Sequence, residues 1–293
     1  MSVILITGTS SGFGMLFAAR FAASGHTVYA SMRELGKSAD LEAELRRRNA
    51  SATLLRLDVT DPESVAGAIA QVQQTDGRLD VLINNAGYGL GGYFEELTQE
   101  EIRAQFDTNF FGVQEVTRCA LPLLRLTAQN APGVKIINIS SVQGKMAVPG
   151  LSAYSGSKFA LEAFSEALYY ELLPFNIRVI LVEPGSYRTK IFDQNAVRAH
   201  GFGDEESPYF ALGQRMSKRM EAMLADPDGM RDPEDVARLV EKIVNKPRPR
   251  LRYAAGRRAK LLIFLSRVLP GRLFQAIVAR GSGHRPPDRL PKR

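Results

Sequence analysis

Residues 3–14 read VILITGTSSGFG and join an apolar run, three glycines and the start of a helical pattern. The run at 3–7 is β-type and continuous, which is typical of a strand covered on both faces. Gly8, Gly12 and Gly14 follow, and an apolar helical pattern continues to about Ala23. In this context backbone N–H groups and a helix N-terminus can receive a dinucleotide pyrophosphate. Glycines at a strand end can also serve a tight turn alone, and the stretch by itself leaves both interpretations open.

Further apolar runs predict the strands of a sheet. They lie at 27–32, 52–59, 79–85, 134–140 and 177–184. Helical patterns separate them, and the pairs Asp61-Pro62 and Asp232-Pro233 are typical of N-cap and N1 positions. The alternation predicts an α/β fold with one doubly wound parallel sheet covered by helices on both faces.

Composition limits the classes of protein to which the chain can belong. With 293 residues, 45% of them hydrophobic, it can bury a sizeable core. Its single cysteine, Cys119, cannot form an intramolecular disulfide, and no Cys/His cluster has metal-ligand spacing, so we expect no metal site. The opening MSVILITG has no basic segment and is too short for a signal peptide or a membrane span. We therefore expect a cytoplasmic protein.

Charge is distributed unevenly along the chain. Residues 246–293 hold 14 Lys or Arg and one acid, for a net charge of +13. Because the whole chain carries +7, the first 245 residues carry −6. No recognition motif or series of stacking aromatics accompanies the basic tail, and the acidic body would oppose extended contact with phosphates. We therefore expect no nucleic-acid partner.

Seven motifs occur along the chain in the order typical of the short-chain dehydrogenase/reductase family, which the chain resembles over roughly residues 1–245. The motifs are TGTSSGFG (7–14), LDVTD (57–61), NNAG (84–87), DTNFFG (107–112), NISS (138–141), YSGSK (154–158) and EPGSYRT (183–189). The segments NNAGYGL and KPRPRLRY are similar to the branch that contains 17β-hydroxysteroid and retinol dehydrogenases. The resemblance implies a Rossmann domain.

The YSGSK motif carries the expected chemistry. If it opens a helix, Tyr154 and Lys158 lie one turn apart on one face, and the cation favours the phenolate by lowering the tyrosine's pKa from about 10. The resemblance implies that Tyr154 exchanges a proton with the substrate oxygen and that Lys158 also holds the nicotinamide ribose. It implies that Ser141 hydrogen-bonds the substrate oxygen and that Asn109 anchors a water in a proton relay. Two alternatives stay open: Asn109 only satisfies buried backbone, or Ser140 replaces Ser141.

The end of the second strand predicts the cofactor. Met32 stands where NAD-selecting members carry an aspartate, and Arg33 follows, so we expect NADP(H) rather than NAD(H). A second basic residue found in some NADP-using members is replaced by Ser11. By resemblance, Asp58 meets the adenine. The residues expected at the cofactor are Gly8, Ser10, Ser11, Gly12, Phe13, Gly14, Arg33, Asp58, Val59, Asn85, Ala86, Gly87, Tyr154, Lys158, Pro184, Gly185 and Thr189.

The substrate is predicted from the residues around this face. We expect Gln143, Val148 and Tyr187 to contact it, beneath a lid at about 187–231 that includes Phe192. Because most candidates are apolar or aromatic, we expect a lipophilic carbonyl or alcohol of the steroid, retinoid or long-chain ketone or aldehyde type. A methionine stripe in the lid is either ordinary core or a ligand wall; it comprises Met216, Met220 and Met223. The alternative function is a catalytically silent NADP(H)-binding sensor or scaffold.

The tail extends beyond a domain predicted at residues 1–255. A basic amphipathic extension at 256–281 is expected to form two short helices broken at Pro270-Gly271, followed by disorder at 282–293. These helices either sit on anionic lipid as a peripheral membrane contact or pack against the body or another subunit. By resemblance, we expect a homodimer or homotetramer built on helices at about 101–126 and 152–172.

Overall fold

The computed structural model describes residues 1–189, 197–226 and 230–284. Phe192 of the predicted lid and residues 285–293 of the segment predicted to be disordered (282–293) lie outside these residues. Of that segment, Ser282 ends the last helix, and His284 Nε2 lies 3.1 Å from the Tyr93 hydroxyl. Nine strands are present in the described part of the chain. They are β1 Val3–Ile6, β2 Thr27–Met32, β3 Thr53–Arg56, β4 Val81–Asn84, β5 Leu90–Gly91, β6 Lys135–Ile139, β7 Arg178–Pro184, β8 Val197–Arg198 and β9 Arg252–Ala255.

Seven of these strands form one parallel sheet in the order β3-β2-β1-β4-β6-β7-β9, while β5 and β8 form a separate parallel pair. From β1 the chain moves outward to β2 and β3 and then crosses back to β4 on the other side of β1. The strand order therefore reverses between β1 and β4. In open α/β sheets, ligands bind at this switch point, beyond the carboxyl ends of the strands.

Ten α-helices surround the sheet in the described residues. They are α1 Gly12–Ala23, α2 Ala39–Arg47, α3 Pro62–Asp76, α4 Gln99–Phe106, α5 Gly112–Asn130, α6 Ser152–Leu172, α7 Phe210–Ala225, α8 Glu234–Val244, α9 Arg257–Val268 and α10 Gly271–Ser282. One core packs α1, α2 and α8 on one face of the sheet, and a second packs α3, α5 and α6 on the other. The predicted doubly wound Rossmann fold is confirmed.

The predicted helix starts differ in accuracy. Asp61 is the N-cap of α3, and its Oδ1 accepts a hydrogen bond from the Glu63 N–H at 3.0 Å. The prediction for α8 was wrong by one residue, since Pro233 is its N-cap. Asp232 Oδ1 still accepts from the Glu234 N–H at 2.9 Å, so the acid serves the helix start from one position further out.

A π-helical turn at Asp107–Phe111 joins α4 to α5. Its wider i→i+5 geometry interrupts the regular helical ladder, a feature often found at functional sites. The tail forms α9 and α10 as predicted, with the break at Pro270. Within the described ranges, no helix is both long enough and apolar enough to cross a membrane.

Candidate active site

The glycine turn after β1 is a cradle that side chains would fill. Gly8 has φ +71°, and a Cβ there would lie 2.7 Å from Ala86 Cα. A Cβ on Gly14 would lie 2.2 Å from the Gly8 carbonyl oxygen and 2.5 Å from Asn85 Nδ2. Thr7 Oγ1 ties the turn to the end of β4 by accepting from the N–H groups of Asn85 and Ala86, each at 3.0 Å. Backbone can therefore approach a ligand closely here.

The N-terminus of α1 opens onto this cradle. Ser11 is its N-cap in an extended conformation, Gly12 is its first residue, and no acid lies in its first turn. The first N–H groups of a helix have no partner within the helix and carry the positive end of its dipole. This arrangement fits the pyrophosphate of a dinucleotide.

Two charged residues lie beyond neighbouring strands, where the adenosine of a dinucleotide is expected. Arg33 directly follows β2; its side chain is 67% exposed and pairs with Glu34 at 3.4 Å. Asp58 lies just beyond β3, where its Oδ1 accepts from the Thr60 N–H at 3.0 Å and from the Thr60 hydroxyl at 2.7 Å. Because β2 and β3 are adjacent, the guanidinium and the carboxylate lie at the same edge of the sheet.

Tyr154 and Lys158 lie one turn apart in α6, as predicted. Lys158 Nζ is 5.9 Å from the centroid of the Tyr154 ring and donates a 2.9 Å hydrogen bond to the Ile139 carbonyl. The lysine is buried, whereas the tyrosine is half-buried. The helix and the end of β6 thus hold the phenol and the amine in a fixed relation.

The electrostatics of this pair differ from the expectation. Desolvation raises the pKa of Tyr154, while a hydrogen bond with Ser141 acts in the opposite direction. Burial lowers the pKa of Lys158 to about 8, although the negative charge of Glu162 raises it. Burial therefore disfavours both charged forms, and this cost outweighs the stabilisation of the phenolate expected from a neighbouring cation.

The two serines after β6 have different surroundings. Ser141 is hydrogen-bonded to Tyr154, and its Oγ accepts from the Gln143 N–H at 3.1 Å. Ser140 Oγ lies 2.9 Å from where a Cβ on Gly144 would stand, and it has no hydrogen-bond partner among the described residues. The structure therefore brings Ser141, and not Ser140, to the tyrosine.

Asn109 is fully buried in the π-helical turn. Its Oδ1 accepts from the Tyr88 N–H at 3.1 Å, and its Nδ2 donates to the Tyr88 carbonyl at 3.0 Å and to Ser157 Oγ at 3.3 Å. The side chain thus satisfies buried backbone, which was one of the two alternatives for this residue.

The predicted substrate contacts do not all come together. Gln143 directly follows the Ser141–Val142 pair, and Val148 packs near the tail helices. Tyr187 is only 2% exposed and lies in the core between the sheet, α1 and α8, with its ring edge-on to Phe13 at 5.7 Å. The prediction that Tyr187 contacts substrate is therefore not supported, because its side chain is used in packing.

Pro184 is the last residue of β7, and Gly185 and Thr189 follow it beside the glycine turn. Thr189 Cβ lies 3.7 Å from where a Cβ on Gly12 would stand, so this segment borders the cradle. The residues predicted to bind the cofactor after β1 and those predicted after β7 are consequently near one another. A dinucleotide that spans the switch point requires this proximity.

A buried charge network lies behind Lys158 and was missed from the sequence. Glu162, 3% exposed, binds Lys145 at 2.9 Å and Arg252 at 3.0 Å. Arg252 also approaches Glu183 at 3.6 Å. Burial, and then the charge of Glu162, raise the pKa of Glu183 to about 7. The spacing of Glu162, four residues after Lys158, was the signal available in the sequence.

Residues of the predicted lid contact the segments at Tyr93 and Gly150, and the end of the tail also contacts Tyr93. Tyr93 stacks on Tyr209 at 4.6 Å, and its hydroxyl lies 3.1 Å from His284 Nε2. Met216 Sδ lies 2.8 Å from where a Cβ on Gly150 would stand. The three methionines of the lid stripe are half-buried and belong to neither of the two main cores.

The chain is similar in sequence to a known protein family and to several of its curated members. A family model described as short chain dehydrogenase matches residues 2–198. The chain is 36% identical over 281 residues to the uncharacterized oxidoreductase YusZ of Bacillus subtilis, covering 95% of this chain and 97% of that one. It is 37% identical over 275 residues to 3-ketodihydrosphingosine reductase of Bacteroides thetaiotaomicron (93% and 95%). It is 35% identical over 277 residues to bovine retinol dehydrogenase 8 (91% and 85%).

Solved structures have the same fold. A short-chain dehydrogenase from Streptomyces avermitilis superposes with a TM-score of 0.76 at 34% identity, covering 97% of each chain. Actinorhodin polyketide ketoreductase with NADPH superposes with a TM-score of 0.71 at 28% identity, covering 87% of this chain and 94% of that one. A Burkholderia phymatum homologue in complex with NAD, at 24% identity and a TM-score of 0.76 (99% and 98%), is similar in fold.

Proposed function

The chain belongs to the short-chain dehydrogenase/reductase family, and from that membership we propose that it is an NADP(H)-dependent oxidoreductase that interconverts a carbonyl and a primary or secondary alcohol on a lipophilic substrate. The observation that carries the proposal is the Ser141–Tyr154–Lys158 group, which lies at the same edge of the sheet as the glycine cradle. A cofactor-binding protein needs the cradle, but it does not need a positioned acid.

The proposed chemistry assigns one task to each residue. When bound, the nicotinamide supplies or accepts the hydride. Ser141 donates a hydrogen bond to the substrate oxygen and stabilises the charge that develops there. Tyr154 gives the oxygen a proton during reduction and takes it back during oxidation. Lys158 in its ammonium form favours the phenolate and holds the nicotinamide ribose, while the main chain of Asn109 anchors the water of the relay.

Arg33 supports the choice of NADP(H). Its exposed guanidinium, at the end of β2 and beside the adenosine position, is suited to a 2′-phosphate. Met32 is buried and offers no carboxylate to the ribose hydroxyls. The remaining contacts would come from the glycine turn, from Asp58 and Val59, from 85–87 and from 184–189.

The proposal of a lipophilic substrate rests on the apolar residues beside Ser141 and on the relatives' names. Apolar side chains surround the loop after Ser141, including Met146 and Val148. Two relatives are named for lipid substrates, a 3-ketodihydrosphingosine and a retinol. We extend this chemistry to the present chain as a long-chain or polyisoprenoid-like carbonyl or alcohol.

Assembly and location are part of the same proposal. A homodimer or homotetramer would cover apolar residues exposed along α5 and α6 and the turn after α6. They are Phe111, Leu126, Phe159, Tyr170, Leu173 and Phe175. We propose a cytoplasmic location, with which the single cysteine, Cys119, agrees.

A substrate panel tests the proposal. NADPH absorbance would be followed with long-chain ketones and aldehydes, retinoids and steroids, beside small sugars and polyols at matched concentration. Higher kcat/KM on the lipophilic compounds is expected. Better turnover of the polar compounds would overturn the substrate class, and tight NADPH binding without turnover of any compound would favour the cofactor-sensing alternative.

A further inference from the structure

The two tail helices have apolar residues on both faces. On the inner face, Ala259 and Ile263 are 2% and 6% exposed and pack against Val142 and Met146. On the outer face, five large apolar side chains are each between 42% and 58% exposed. They are Leu261, Phe264, Val268, Leu273 and Ile277. Their spacing places the first three on one side of α9 and the last two one turn apart on α10.

Positive charge surrounds this outer face. Between residues 256 and 284 the chain has six Lys or Arg and no acid. All six are exposed; they are Arg257, Arg258, Lys260, Arg267, Arg272 and Arg280. Lys260 and Arg267 lie four residues before and three residues after Phe264, so their aliphatic stems run along the apolar strip while their charges extend beyond it. This is the composition of a helix that lies in a membrane interface.

Charge complementarity decides between two occupants of this face. A second copy of the chain docked here would bring the same cations against one another without any acid from α9 or α10 to pair them. The exposed apolar residues of α5 and α6 have neighbours of both signs, including Glu115, Arg118 and Glu171, which suits contact between copies. An anionic lipid surface matches both the cations and the apolar side chains of the tail.

We propose that the outer face of α9 and α10 docks on an anionic lipid bilayer and thereby holds the loop after Ser141 next to the membrane. The inference rests on the proposed lipophilic substrate class. Val142 and Met146, which pack under α9, lie one and five residues after Ser141 in the chain, and Phe274 and Val278 of α10 join the same cluster. The helices that contact the lipid thus also pack on the loop that follows Ser141, so docking brings this loop to the bilayer, where a lipophilic substrate is concentrated.

Vesicle flotation of the full chain tests the docking. The probes are vesicles of phosphatidylcholine alone and of phosphatidylcholine with about 30% phosphatidylserine. Wild type is expected to float only with the anionic vesicles, and less at high salt. Arg267→Gln with Arg272→Gln should weaken binding about 25-fold, since each cation contributes about fivefold. Phe264→Ser with Leu273→Ser should weaken it at least tenfold.

A control variant applies one substitution of each kind to another face. Leu126→Ser with Arg118→Gln removes one exposed apolar residue and one exposed cation from α5 and should float as wild type does. All three variants should reduce a water-soluble carbonyl compound at the wild-type rate. Only the two tail variants should lose, about tenfold, the rate on a long-chain ketone embedded in the anionic vesicles.

The outcomes separate the docking from the proposed function. The docking is overturned if wild type does not float, or if it floats equally with neutral vesicles. It is also overturned if the tail variants float as wild type does. Tail variants that abolish a concentration-dependent self-association instead identify the face as an interface between copies and also overturn it. Reduction of a carbonyl compound without flotation leaves the proposed function intact. Flotation without reduction of any carbonyl compound contradicts the proposed function but still supports the docking.

Discussion

Glu162 follows Lys158 by one turn of α6, and its buried carboxylate raises the pKa of a lysine that burial lowers to about 8. The two effects oppose each other near physiological pH. The charge that the proposed mechanism requires on Lys158 is therefore maintained by a residue that does not contact the substrate.

The pH profile should report this relationship. Lys158 is protonated below its pKa, so kcat/KM should fall as pH rises through about 8. In Glu162→Gln the supporting negative charge is absent, so the fall should begin at lower pH, with about fivefold loss at pH 8 and less at pH 6. Glu166→Gln is the control, because Glu166 also binds Arg252, at 2.8 Å, but its side chain is 46% exposed. Identical profiles in all three proteins would contradict the proposed role of Glu162.

Glu183 should make stability depend on pH. Its pKa is raised to about 7 in the folded protein, so between the unfolded value near 4.5 and 7 the folded state keeps a proton that the unfolded state releases. Stability from this group therefore falls as pH rises through that window and stays low above it. Glu183→Gln should raise the free energy of unfolding by about 1–3 kcal/mol more at pH 8 than at pH 5. Urea denaturation of wild type and variant at both pH values measures this difference. An equal change in the free energy of unfolding at the two pH values would contradict the role given to Glu183.

Arg33 should determine the preference between cofactors. Arg33→Asp removes a charge-assisted contact to the 2′-phosphate and offers a carboxylate to the ribose hydroxyls instead. The ratio of kcat/KM for NADPH over NADH should fall by at least about tenfold. Arg46→Gln, an exposed arginine on α2, is the control and should leave the ratio unchanged. Unaltered NADPH selectivity in Arg33→Asp would remove Arg33 from the cofactor assignment.

Gly14 should not tolerate a side chain. In Gly14→Ala the new Cβ would stand 2.2 Å from the Gly8 carbonyl oxygen, so the turn must move away from its binding geometry. We expect a loss of about 1–3 kcal/mol in stability, together with much weaker NADPH binding. Gly67→Ala, in the open interior of α3, should instead stabilise by about 0.5–1 kcal/mol and bind NADPH normally. Thermal unfolding and fluorescence titration measure both; wild-type behaviour of Gly14→Ala would refute the cradle.

The sequence was most informative where the signal is local. Strand β2 at Thr27–Met32 and helix α6 at Ser152–Leu172 have the predicted bounds, because periodicity and nearby breakers determine them. The turn after β1 and the break at Pro270 were predictable for the same reason. The site residues of the motifs gather at one sheet edge because every strand of the main sheet is parallel.

The features that escaped prediction depend on contacts distant in the chain. Tyr187 is buried because Phe13 and the start of α9 pack around it, which no local pattern reveals. The raised pKa of Tyr154 comes from desolvation, a property of the assembled site rather than of the motif. Arg252 meets Glu162 and Glu183 only because β9 pairs with β7 at the edge of the sheet.

The most direct test of the account compares wild type with Tyr154→Phe, following NADPH absorbance at neutral pH with the best lipophilic carbonyl compound of the panel. The variant keeps the ring and its packing but has no hydroxyl to exchange a proton. We predict that NADPH binds with wild-type affinity while turnover falls by at least about a hundredfold. Turnover in Tyr154→Phe equal to that of wild type would contradict the assignment of Tyr154 as the catalytic acid and, with it, the proposed mechanism.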